Sequence, residues 1–251
     1  MKELAIQAAK EAGKILMKNY GKIRMAREKF KDNWVSNVDL ESEKKIISMI
    51  REKYPSHSIL SEEKGKLEKS SDYKWIIDPL DGTHNYIQGL PIFGVSIALE
   101  YKGDITLGVI IMPFYNWLFV AEKGKGAYLN GKRIRVSDRK LKESMLMYDG
   151  SINENKKAKL RLLDKIASRI FRIRISGAAV FDLTSVAQGN AEISICLKTY
   201  PWDVAAGFLL IREAGGIVTD FKGRQIDHYT GKFVAASRKV HRKIINITKR
   251  F

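Results

Sequence analysis

Leu4, Ala5, Ala8, Ala9, Ala12, Ile15 and Leu16 recur at three- and four-residue intervals, so the chain opens on an amphipathic helix. The same period returns at Ile46, Ile47 and Ile50 and predicts a second helix over about 39–53. Ser36 or Asn37 is placed to cap it, and it stops before Pro55. The period then shortens. "HSIL" and "KWII" read as short strands, the second ending at "DPLDG". From Phe93 to Val136, "FGVSIALEY", "ITLGVIIM", "WLFVAE" and "RIRVS" alternate or run apolar between Gly, Asn and Asp punctuation, the pattern of consecutive strands.

After about residue 140 strands and helices alternate. Strands are predicted at "SMLMY", "RIRIS", "AEISICL", "GGIVTD" and "FVAAS". Helices are predicted over about 156–169 and 178–188, after Trp202, and from Arg238. An α+β half over 1–140 and an α/β half over 141–251 follow from this pattern.

Composition narrows the class. With 251 residues, 45% of them hydrophobic and a single cysteine, the chain can bury a sizeable core and cannot close an internal disulfide. The longest uncharged run, Ile105 to Ala121, is broken by Gly108, Pro113 and Asn116. It is also shorter than the ~20 apolar residues of a membrane helix. A soluble, cytoplasmic protein with no membrane partner is expected. The 45 Lys and Arg against 28 Asp and Glu give a net charge of +17. That excess could serve attraction of phosphorylated small molecules, weak nucleic-acid binding or plain solubility, and a solvated face is the ordinary reading of such charge. The basic residues are scattered rather than interleaved with aromatics, so no specific nucleic-acid partner is expected.

Against this basic background, acids stand at strand ends and helix starts. They are Asp39 in "VSNVDLESE", Glu62 and Glu63 in "LSEEKG", Asp78 and Asp81 in "WIIDPLDGT", and Asp203 in "YPWDVAAG". Each has an ordinary explanation alone: a Pro-Gly turn, a helix cap after Pro201, a charged loop. Together, without companion His or Cys, they make a hard-oxygen set suited to Mg²⁺ or Mn²⁺ and poor for zinc. Such a pocket repels phosphate until divalent ions invert its charge. Gly82 then lets the backbone approach closely, and Thr83 offers a hydroxyl for proton transfer.

The segments "WIIDPLDGTHNYIQGLP" and "WDVAAGFLLIREAGG" resemble the two signatures of the inositol monophosphatase superfamily. "VSNVDLESEKKI", "SEEKG", "EKGKGAYLNGKRIRVS" and "RIRISGAAVFDLTSVAQG" match in the same order. The resemblance implies a five-layer αβαβα sandwich, usually a homodimer, that hydrolyses sugar or polyol phosphates with two or three Mg²⁺ ions, Mn²⁺ being an alternative. It implies metal ligation by Glu62, Asp78, the Leu80 carbonyl, Asp81 and Asp203. Asp39 and Thr83 would activate the attacking water with support from Glu63. Asp81 and the backbone of Gly82 and Thr83 would contact the substrate.

Where animal members carry a glutamate, seven positions before the last metal aspartate, this chain has Cys196. The resemblance is therefore to archaeal members that hydrolyse both fructose 1,6-bisphosphate and inositol 1-phosphate. Arg174, Ala179 and Lys198 become the candidates for holding the rest of the substrate. His84 departs from the family's usual threonine or aromatic. A phosphatase for 3′-phosphoadenosine 5′-phosphate and a basic nucleic-acid-binding or regulatory protein are the alternatives.

Overall fold

Two sheets and three helical layers account for the changing pattern along the chain. The computed structural model describes residues 1–22, 27–30, 33–151 and 155–251. Helix α1 (Lys2–Asn19) is followed by an antiparallel pair, β1 (Arg27–Phe30) and β2 (Asn33–Val35), and by helix α2 (Asn37–Lys53). Strands β3 (Ser58–Ser61), β4 (Gly65–Leu67) and β5 (Tyr73–Asp81) lead into a short helix α3 (Thr83–Ile87). Strands β6 (Gly94–Tyr101), β7 (Asp104–Met112), β8 (Trp117–Glu122), β9 (Gly126–Leu129) and β10 (Lys132–Arg133) come next. The remainder alternates: β11 (Met145–Tyr148), α4 (Lys156–Ala167), β12 (Arg172–Arg174), α5 (Ala179–Ala187), β13 (Ile193–Cys196), α6 (Pro201–Glu213), β14 (Ile217–Thr219), β15 (Phe233–Ala236) and α7 (Arg238–Thr248).

The larger sheet has the order β10-β9-β8-β7-β6-β5-β3-β4, and the smaller β12-β11-β13-β15-β14. Successive side chains of a strand face opposite ways, and here both faces are used. Trp75, Ile77, Val95, Ile97, Val109 and Ile111 meet Leu4, Ala8, Leu16, Ile46 and Ile50 of α1 and α2. Ile76, Ala98, Ile110 and Met112 face the other way, onto α5 and α6. The small sheet closes over that central layer with Met147 and Ala235, and turns Leu146, Ile193, Ile195 and Val234 toward Leu162, Ile166, Val240 and Ile244 of α4 and α7. The expected αβαβα order is therefore present.

Helix α6 is buried at every position from Val204 to Ile211, as a helix between two sheets must be. It also lies tight against α5: a Cβ on Gly207 would stand 2.4 Å from Leu183 Cδ1. No helix among the described residues is long and apolar enough to cross a membrane.

Two expectations are corrected. "RIRVS" does not form a five-residue strand; pairing ends at Arg133, and the Val136 N–H bonds the Ala214 carbonyl at the end of α6. Ile134 keeps one last bond from its N–H to the Ala127 carbonyl of β9, and the side chains of Ile134 and Val136 pack on the central layer. The strand carrying "KWII" does not stop before "DPLDG" but runs to Asp81. Its register against β6 slips between Asp78 and Asp81, a bulge that absorbs Pro79, which has no N–H to donate.

Candidate active site

β3 and β5 run parallel, with Ser61 opposite Ile77, so Glu62 and Asp78 leave the sheet side by side. The Glu62 N–H donates to the Ile77 carbonyl (3.2 Å) and fixes that juxtaposition. Past the bulge, Gly82 takes a φ of +83°, and a Cβ there would meet the Ile92 carbonyl oxygen at 2.7 Å. Only glycine fits both demands. The chain thereby turns into α3 and places Thr83 Oγ1 2.9 Å from Asp39 Oδ1 and 2.8 Å from the Leu80 carbonyl. With one proton, the hydroxyl donates to one of these at a time.

Asp39 is the third residue of α2. Its Oδ2 accepts from the Ser36 N–H (2.9 Å) and hydroxyl (2.5 Å), completing a capping box with Ser36 as N-cap. The helix start uses one carboxylate oxygen and leaves the other to Thr83, so the cap does not exclude a role in the site. Asp203 repeats the pattern at α6, accepting from the Tyr200 N–H (2.8 Å) and the Thr199 hydroxyl (3.0 Å). Asp81 Oδ2 accepts from the Val180 N–H at 2.5 Å, at the N-terminus of α5. Positive helix ends thus face these acids from α2, α5 and α6.

That support does not neutralise them. Burial first, then the charges of Glu62, Asp81 and Asp203, push the Asp78 carboxyl well above its ordinary range. Burial raises Asp81 to about 7, against its backbone hydrogen bonds and with help from Asp203. Burial raises Asp203 to about 6, and it raises Asp39 to about 6 with a smaller push from Glu63. Asp39 and Asp78 are 1% and 2% exposed, so water screens neither, whereas Asp81 and Asp203 are half-buried. None of these four aspartates forms an ion pair with Lys or Arg among the described residues.

Mutually repelling, all-oxygen groups, with the four aspartates lacking a Lys or Arg partner among the described residues, fit a hard divalent cation. As placed, no three acidic, histidine or cysteine side chains among the described residues close around one ion-sized point. Their oxygens are instead engaged locally: Asp78 Oδ1 accepts from the Leu80 N–H (3.1 Å), and the Leu80 carbonyl accepts from Thr83.

The other expected residues are distributed less tightly. Ala179 is the first residue of α5 and lies at the Asp81 end of the site. Arg174 is exposed on the edge strand β12, with its guanidinium on the Ile173 carbonyl (2.9 Å) and no other hydrogen bond among the described residues. Lys198 is exposed, with Nζ 5.8 Å from the centre of the Tyr200 ring. His84 is exposed on α3. Cys196 is half-buried at the end of β13. Its Sγ lies 2.9 Å from the Lys198 carbonyl and 3.6 Å from Asp149.

Two polar residues escaped the sequence reading. Ser42 and Glu43 are fully buried on the face of α2 that also carries Asp39. The available signal was an inward helix stripe, 38-39-42-43-46-47-50, whose first turns are polar where the period demands apolar side chains.

Comparison with known proteins agrees with this architecture. The model of the inositol monophosphatase family matches residues 1–250. "Nus factor SuhB" of Escherichia coli K12 is 40% identical over 246 residues, covering 96% of this chain and 92% of that protein. The "fructose-1,6-bisphosphatase/inositol-1-monophosphatase" of Thermotoga maritima is 34% identical over 247 residues, covering 98% and 94%. The crystal structure of the extragenic suppressor protein suhB from Bartonella henselae superposes with a TM-score of 0.95 at 34% identity, covering 99% of this chain and 98% of that one. With the family model matched over residues 1–250 and the fold shared with a relative's crystal structure at a TM-score of 0.95, this chain belongs to the inositol monophosphatase family.

Proposed function

We propose that the protein is a divalent-cation-dependent phosphatase that hydrolyses sugar and polyol phosphate monoesters, with fructose 1,6-bisphosphate and inositol 1-phosphate as substrates. The observation that carries this reading is Asp78: a fully buried carboxylate driven far above its ordinary range by burial and then by three neighbouring acids, with no Lys or Arg paired to it among the described residues. Glu62, Asp78, Asp81, Asp203 and the Leu80 carbonyl would hold the cations, Mg²⁺ or Mn²⁺. When bound, these supply Lewis acidity toward water and the ester oxygens.

The chain's own contribution is proton handling and orientation. Asp39, raised to about 6, is poised to accept a proton near neutral pH, and the Thr83 hydroxyl at 2.9 Å is its route to a water. Glu63 adds negative charge beside Asp39 and raises its basicity. The N–H groups of Gly82 and Thr83 would orient phosphate oxygens. Arg174 at the end of β12 and Lys198 just after β13, both exposed cations, would meet a second phosphate. The net charge of +17 favours encounter with anionic substrates.

Phosphate release from fructose 1,6-bisphosphate, inositol 1-phosphate and 3′-phosphoadenosine 5′-phosphate, measured with Mg²⁺ and with chelator, tests the proposal. No release from the first two in Mg²⁺ would sink it. The positive charge also favours a second, regulatory reading through nucleic acid, and relatives bearing the name Nus factor SuhB make it worth separating. That role predicts salt-dependent duplex binding that survives Asp78→Asn.

A further inference from the structure

Residues 39, 42 and 43 stand one turn apart on the same face of α2, and each reaches a different piece of the site. Asp39 meets Thr83. The Ser42 hydroxyl donates to the Pro79 carbonyl (2.8 Å), on the bulge between Asp78 and Asp81. Glu43 takes the third piece. Its Oε1 accepts from the Ser61 hydroxyl, from the Glu63 N–H (3.2 Å) and from the Lys64 N–H (3.0 Å).

All three donors belong to the segment that presents Glu62 and Glu63. Glu43 is 0% exposed, and its Oε2 has no hydrogen-bond partner among the described residues. A buried carboxylate with an orphaned oxygen costs stability. The packing of α2 on the sheet does not require it, since Ile46, Ile47 and Ile50 supply that contact. What it does supply is a fixed acceptor on the helix side of the 61–64 turn, opposite the Glu62–Ile77 hydrogen bond on the strand side.

We propose that Glu43 is a positioning residue: its carboxylate clamps the backbone of 61–64 onto α2 and so sets where Glu62 stands beside Asp78. The inference rests on the phosphatase reading and adds a residue to it. Glu43 touches neither substrate nor cation. It acts through the segment it holds, in the way outer partners of a metal site hold their ligands.

The test uses the metal-free full chain and three variants, reading Mn²⁺ affinity by titration and hydrogen exchange at the Glu63 and Lys64 amides. Glu43→Leu keeps the volume and removes the acceptor. It is expected to weaken Mn²⁺ binding by about 10- to 100-fold and to speed exchange at both amides. Glu43→Gln, which can offer an amide oxygen to the same donors, is expected to stay within about 5-fold of the parent, the loss of charge assistance alone.

A folded leucine variant with parental affinity and exchange overturns the proposal, as does a glutamine variant as impaired as leucine. Should the leucine variant not fold, Ser61→Ala removes one arm of the clamp. A loss of about 3- to 10-fold, equivalent to one hydrogen bond, is expected, and no loss overturns the proposal. A parent chain that binds no Mn²⁺ refutes the phosphatase reading instead; the exchange measurement still decides the clamp.

Discussion

Replacing Gly82 with alanine loads the chain in two separable ways. The φ of +83° lies in the left-handed region, which costs an L-residue about 1–2 kcal/mol. The new Cβ would stand 2.7 Å from the Ile92 carbonyl oxygen, 3.0 Å from Ala178 Cβ and 3.3 Å from Phe93 Cα. These are backbone or rigid atoms, so relief requires moving the 92–93 segment or the start of α5, an overpacking cost of about 1–3 kcal/mol. The sum is about 2–5 kcal/mol, and for a chain of this size Tm falls by about 5–15 °C.

Gly103→Ala separates the two terms. Its φ is +88°, but nothing lies within 4 Å of its Cβ position, so only the backbone cost of about 1–2 kcal/mol remains. Urea unfolding of both variants, with equal m-values as the check on two-state behaviour, gives the contact term by difference. Gly82→Ala is also expected to lower turnover, because Ala178 adjoins the N–H groups that hold Asp81. Equal destabilisation of the two variants would refute the reasoning, since the approach to Ile92 would then carry no energy.

Three further outcomes are expected. Asp78→Asn should keep the fold, seen by circular dichroism, and lower phosphate release by at least about 10³-fold, the scale of losing one electrostatic group of an active site; retained turnover would refute its role. Asp39 and Asp203 are raised to about 6 and Asp81 to about 7, so folding disfavours their ionised forms. The stability they contribute is present at low pH and is lost as the pH rises through 6–7. The cation needs those ionised forms, so the Tm gained on adding Mg²⁺ should be larger at pH 8 than at pH 5.5, and an equal gain at both would refute the assignment. Reading the gain at fixed pH cancels the buried histidines 57, 228 and 241, whose lowered pKa values pull the other way. Lys159→Met should cost about 3–5 kcal/mol in urea unfolding by stranding Asp149, its buried partner at 2.8 Å; if Lys159→Met with Asp149→Leu is no more stable than the single variant, the pair is not the cause.

The helices were legible because their apolar periods are also their packing faces: Leu4 to Leu16 and Ile46 to Ile50 sit where the spacing puts them. The acids were legible as blocks, since Asp39, Glu62, Asp81 and Asp203 stand at or beside element ends; Asp78 alone lies inside its strand, three residues before the end of β5. Other features depend on contacts distant in sequence. Pro79 inside a strand contradicts local preference and is tolerated only through the bulge opposite β6. Val136 reads as a strand residue, but its partner is the end of α6, 78 positions away. Arg174 and Lys198 have long flexible side chains whose reach no spacing specifies. Glu43 was hidden by its type, since a glutamate in a helix reads as solvent-facing until its burial is seen.

Because the clustered oxygens are drawn from residue 39 at one extreme and residue 203 at the other, assembly of the cleft is a late event in the life of each molecule. The central strands of the first sheet are finished once residue 122 has been made, yet β13 still lacks β15 until residues 233–236 emerge. A ribosome-bound chain halted between residues 122 and 200 would hold Asp39 and Asp78 but not the opposing helix that brings Asp203. Completion of the cleft during synthesis should therefore wait until α6 and β15 have both emerged.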